Sequence, residues 1–121
     1  MKIFIICSVR GADEAYREKL EIYVDKLEDE GHIVHLPHRN TNQKATGLAI
    51  CTQNMHAIKD ADEIHIFYNP NSKGTHFDMG VSFGLNKKIK IIESVEYDEG
   101  KSFSRMLDEW EEWCKSWDEL K

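Results

Sequence analysis

The chain lacks most of the features that would fix its class at once. Its three cysteines, Cys7, Cys51 and Cys114, are odd in number, far apart and outside any metal-type spacing, so neither a disulfide framework nor a metal site is expected. They read as reduced packing thiols. No apolar run approaches the ~18 residues of a membrane span, and no charged-then-apolar leader opens the chain, which predicts a cytoplasmic protein without membrane contact. Basic excess is missing too. The formal charge is -6, and residues 96–121 hold nine acids against four bases, so nearly all of the net charge lies in the last segment. An acidic chain without a basic stripe argues against long nucleic acids, whose affinity rests on phosphate neutralisation. A single nucleotide needs only a local anion site and stays open. Repeats and linkers are absent, so residues 1–121 read as one domain, long enough to bury roughly two thirds of its unfolded surface.

What is present is an alternation of periods. Residues 2–7 are a nearly continuous apolar run, as in a strand buried on both faces. Tyr16, Leu20, Tyr23, Val24 and Leu27 then recur at helical spacing before Gly31, predicting a helix over about 12–30. A strand over 32–36 closes at Pro37, and the polar stretch from Pro37 to Gly47 suits an exposed loop, a lid over a site. A helix carrying Leu48, Ile50, Cys51, Met55, Ala57 and Ile58 follows, then a strand over 64–68, a helix over 75–85 and a strand over 88–92. A last amphipathic helix carries Phe103, Leu107, Trp110, Trp113, Trp117 and Leu120, and its three tryptophans read as core or as a subunit contact. This alternation implies right-handed crossovers, hence an α/β fold with a parallel sheet of four or five strands and helices on both faces. Ligands of such sheets bind beyond the carboxyl ends of the strands.

Two loops fall at that end. Ser8-Val9-Arg10-Gly11 follows the first strand and precedes a helix, where free backbone N–H groups and a helix dipole attract anions and Arg10 adds a cation. Read structurally, it is a tight turn with Ser8 or Asp13 as helix cap. The spacing matches neither a Walker loop nor a dinucleotide fingerprint. The second loop, Ser72-Lys73-Gly74-Thr75-His76-Phe77-Asp78-Met79-Gly80, puts a carboxylate about one turn inside a helix. Asp78 either closes a capping box with Thr75 or faces a pocket as a nucleophile. His32, His35 and His38 do not complete a metal set, because strand alternation separates the first two.

The two loops, in this order and spacing, resemble the nucleoside 2-deoxyribosyltransferase superfamily and, within it, the 2'-deoxynucleoside 5'-phosphate N-hydrolase branch, over most of residues 2–92. The resemblance implies a flavodoxin-like (Rossmann-like) three-layer sandwich, a homodimer without a cofactor, and cleavage or transfer at the N-glycosidic bond of a nucleotide or nucleoside. Carried over, it assigns a 5'-phosphate to Ser8, Val9, Arg10, Gly11, Ser72 and Gly74, with Phe4, His38 and Thr75 beside base or sugar. Asp78 stands where the family has its nucleophilic glutamate, Asn54 where an aspartate often assists at the base, and Phe4 where a tyrosine helps position the nucleophile. The binding half is kept and the chemical half is altered. A catalytically weakened nucleotide sensor or sequestering protein is therefore the alternative to an enzyme.

Overall fold

β1 (Lys2–Ile6) is the hub of the protein. In the computed structural model, which describes residues 1–94 and 103–119, it lies between β2 (Ile33–His35) and β3 (Glu63–Phe67), and β4 (Ile89–Glu93) extends the sheet beyond β3. All three pairings are parallel. The order β2-β1-β3-β4 means that the chain leaves β1 toward one edge and returns to build the other. The reversal opens a crevice at the carboxyl ends of β1 and β3.

The alternation of β1 explains the layers. Ile3, Ile5 and Cys7 face α1 (Glu14–Asp29) and pack with Leu20, Val24 and Leu27. Phe4 and Ile6 face the other way and join Ile58 of α3 (Gly47–Asp60), Met79 of α4 (Lys73–Gly84) and Leu107, Trp110 and Cys114 of α5 (Phe103–Glu119). The result is the three-layer α/β sandwich of flavodoxin-like type, with a sheet of four strands among the described residues.

Helix ends follow local chemistry. Asp13 caps α1 by accepting from the Tyr16 N–H at 2.8 Å. Gly31, at φ +94°, closes it, with the N–H groups of Gly31 and His32 turned back onto the carbonyls of Glu28 and Leu27. The polar stretch after Pro37 is largely exposed, as expected, but it is more ordered than a plain loop. Pro37 opens a short helix, α2 (Pro37–Asn40), Thr41 is buried, and the Gln43 side chain donates to the Pro37 carbonyl, so the segment is tied down over the sheet end. Of the apolar residues of α3, Ile58 is fully buried while Leu48 and Met55 are exposed. Trp110 is core, and Trp113 is half-exposed and meets Trp117 edge-to-face. Leu120 lies outside the described residues. The carboxylate of Glu111 accepts from the Ile91 N–H, so α5 satisfies a donor of the edge strand β4. None of the helices among the described residues is long and apolar enough to cross a membrane.

Candidate active site

A cavity of about 580 Å³ fills the crevice beyond β1 and β3, within the usual size of a small-molecule site. Its wall combines the end of β1 (Cys7 to Arg10), the start of α3 (Ile50, Cys51, Asn54) and the β3–α4 connection (Asn69, Ser72, Lys73, Gly74), with Asp78 beneath. The loop after β1 is joined directly to the β3–α4 connection, because Asn69 Nδ2 donates to Ser8 Oγ at 2.7 Å. His38 Nε2 is 2.7 Å from the Ser8 carbonyl, on which it donates, and this braces the β1 loop from α2.

The helices that follow the two loops differ at their N-termini. At α1 the cap is the carboxylate of Asp13, a negative charge that offsets the helix dipole for an incoming anion. At α4 the cap is neutral: Ser72 Oγ accepts from the Thr75 N–H at 3.2 Å, and Lys73 follows. Ser72 therefore holds the position that the capping-box reading gave to Thr75. Asp78 is left with no end of helix to cap, which removes the structural reading of that carboxylate.

Asp78 is 6% exposed. Burial pushes its carboxyl up from 3.8 to about 7, against the opposing pull of the Asn54 amide, whose Nδ2 donates to Oδ2 at 3.4 Å. The group is thus half-ionised near neutrality, a state suited to giving or taking a proton or attacking a carbon. Cys7, buried beside it, is pushed to about 12 by burial and by the Asp78 charge. Its thiol stays protonated and is no nucleophile.

The structure brings Ser8, Val9, Arg10, Ser72, Gly74, Asn54 and Asp78 to one cavity. It does not bring Phe4, His38, Thr75 or Gly11 to the wall. Phe4 and Thr75 are fully buried, Phe4 in the core and stacked on His35 with ring centroids 5.1 Å apart. Thr75 Oγ1 has no hydrogen-bond partner. His38 acts on the pocket through Ser8, and Gly11, at φ +74°, turns the chain from loop to helix. Sequence reasoning missed Lys73, Asn69 and Thr41. Lys73 lay inside a quoted motif and was legible as a cation; nothing in the pattern marked Thr41.

No protein-family model matches the chain, and no curated protein matches it. Among solved structures, it is similar to a 2-deoxyribosyltransferase of Bacillus psychrosaccharolyticus, with a TM-score of 0.71 and 19% identity over 91% of this chain and 82% of that one. It is also similar to a CMP N-glycosidase of Clostridium botulinum, with a TM-score of 0.67 and 21% identity over 98% of each chain. The chain shares the fold of these proteins. At such identity the likeness fixes the arrangement of sheet and helices, while the chemistry has to be argued from the residues in the cavity.

Proposed function

We propose that the protein cleaves the N-glycosidic bond of a nucleoside or 2'-deoxynucleoside 5'-monophosphate with Asp78 as nucleophile. The observation that carries this reading is a buried carboxylate, free of any capping duty, in the same cavity as Arg10, Lys73 and the neutral-capped start of α4. Backbone N–H groups and two cations suit a phosphate, and binding energy gained there holds the sugar over Asp78. The ionised carboxylate attacks the anomeric carbon as the carbon–nitrogen bond breaks, and the electron pair leaves with the base, which takes a proton from solvent. Water then attacks the anomeric carbon of the glycosyl ester, restoring the carboxylate and releasing the sugar phosphate. Asn54 cannot supply the proton, but its amide can hold Asp78 or the base. The two solved structures named above carry names of glycosyl chemistry on nucleosides or nucleotides, which supports the reading.

The same reading takes the protein as a cytoplasmic homodimer. α4 carries Phe77 and Phe83 on its exposed side, 49% and 57% accessible, and beyond Lys73 its one charged residue is the buried Asp78. Two exposed phenylalanines on a face with so little charge suit cover by a second copy.

The test is chromatographic detection of free base after long incubation with a panel of nucleoside and 2'-deoxynucleoside 5'-monophosphates, with Asp78→Ala alongside. Release that vanishes in the variant is expected. Binding of a nucleotide without release by either protein would overturn the enzyme and leave a sensor or sequestering protein.

A further inference from the structure

Four side chains form one hydrogen-bonded line from β2 to α4. His35 Nε2 lies 2.8 Å from Thr41 Oγ1, Thr41 Oγ1 lies 2.7 Å from Asn54 Oδ1, and Asn54 Nδ2 lies 3.4 Å from Asp78 Oδ2. Thr41, Asn54 and Asp78 are all buried, Asn54 and Asp78 at the cavity wall. Counting protons gives the line a direction. A threonine hydroxyl has one proton, and here it goes to Asn54 Oδ1; Thr41 Oγ1 then accepts from His35, which must be protonated at Nε2. With its oxygen taken, the Asn54 amide presents its N–H to Asp78.

We propose that Thr41 is a positioning residue: its hydroxyl, held by His35, fixes the Asn54 amide with Nδ2 toward Asp78 and so favours the ionised carboxylate. Its meaning for turnover rests on the catalytic reading of Asp78 above, whereas the bond pattern stands independently of it. Removing the hydroxyl leaves Asn54 Oδ1 as a buried acceptor without a donor, which is costly. The proton of a neutral Asp78 can satisfy that oxygen once the amide turns over, so the carboxyl holds its proton to higher pH. The removal also takes the acceptor from His35 Nε2, but it adds no charge beside Asp78. Cys7, from β1, is an uncharged thiol; Arg10 and Lys73 lie in the cavity wall; and burial together with Arg39 keeps His35 below its usual range, hence neutral.

The experiment is a titration of the Asp78 carboxyl carbon by NMR in protein labelled with ¹³C-aspartate, assigned with Asp78→Asn. It is run on the wild type, Thr41→Val and Thr41→Ser, and needs no turnover. An upward shift of the midpoint by about half a pH unit or more is expected in Thr41→Val, with Thr41→Ser at the wild-type value. An unmoved midpoint in folded Thr41→Val, or an equal shift in Thr41→Ser, overturns the proposal. Should Thr41→Val not fold, the imidazole ¹⁵N shifts of His35 in the wild type decide, above the Asp78 midpoint: the Nε2-protonated form is expected, and the Nδ1-protonated form overturns it. A shifted midpoint in a protein that releases no base would retain the positioning role and remove the enzyme.

Discussion

Replacing Asp78 with asparagine should stabilise the protein, and by more at high pH than at low. Asp78 is an acid whose folded value, about 7, lies above its ordinary 3.8 because burial penalises the charge. The unfolded chain therefore gives up this proton first, and stability falls as pH rises from about 4 to about 7. Below that window the protonated carboxyl is cheap to bury, and above it the folded state must hold a buried anion. Asparagine keeps the shape and carries no charge at any pH. Each pH unit of such a shift is worth about 1.4 kcal/mol, so the gain from Asp78→Asn should grow by about 2 to 3 kcal/mol between pH 5 and pH 8. Urea unfolding followed by tryptophan fluorescence, on both proteins at both pH values, measures this difference. Other titrating groups cancel in the comparison. Equal stability differences at pH 5 and pH 8 would refute the argument that Asp78 is a strained, desolvated carboxylate, and with it the physical basis for singling it out.

If Asp78 attacks as the anion, base release should rise with pH through about 7 and level off above it, and a profile that falls over that range would make Asp78 a proton donor instead. Arg10→Ala should weaken binding of a nucleoside 5'-monophosphate about tenfold, measured by calorimetry, and leave the corresponding nucleoside nearly unchanged; equal loss for both would remove the phosphate from the Arg10 side of the cavity. Phe77→Lys, on the exposed face of α4, should convert a dimer into a monomer in sedimentation at unchanged stability, and an unaltered molecular weight would free that face of a subunit role. Trp110, which lies in the core, is unsuitable for that purpose, and its truncation should cost about 3 to 5 kcal/mol of stability in urea unfolding.

Much of the architecture was legible because it rests on local periodicity. Alternation along Ile3 to Cys7 and the helical spacing of Leu20, Val24 and Leu27 are properties of one segment at a time, and both were visible before any contact was known. The short loops between them, read with the crossover rule, then left few topologies to choose from. Errors arose where two neutral caps competed within three residues. Ser72, not Thr75, starts α4, and that shift of one turn decided the fate of Asp78. The polar stretch after Pro37 is mostly exposed, as its polarity suggested, but polarity could not show that the Thr41 hydroxyl turns inward to Asn54 or that the Asn42 N–H and the Gln43 side chain bond to Gln53 and the Pro37 carbonyl.

The sequence by itself determined the α/β alternation, the parallel sheet and the two loops at its carboxyl end, since each follows from spacing within a short window. Tertiary structure alone decided that Asp78 is buried rather than solvated, that Phe4 supports His35 from the core rather than lining the cavity, and that Thr41 reaches Asn54. Burial and hydrogen-bond direction depend on which atoms of distant segments meet, and those distances are set by the packing of helices on the sheet.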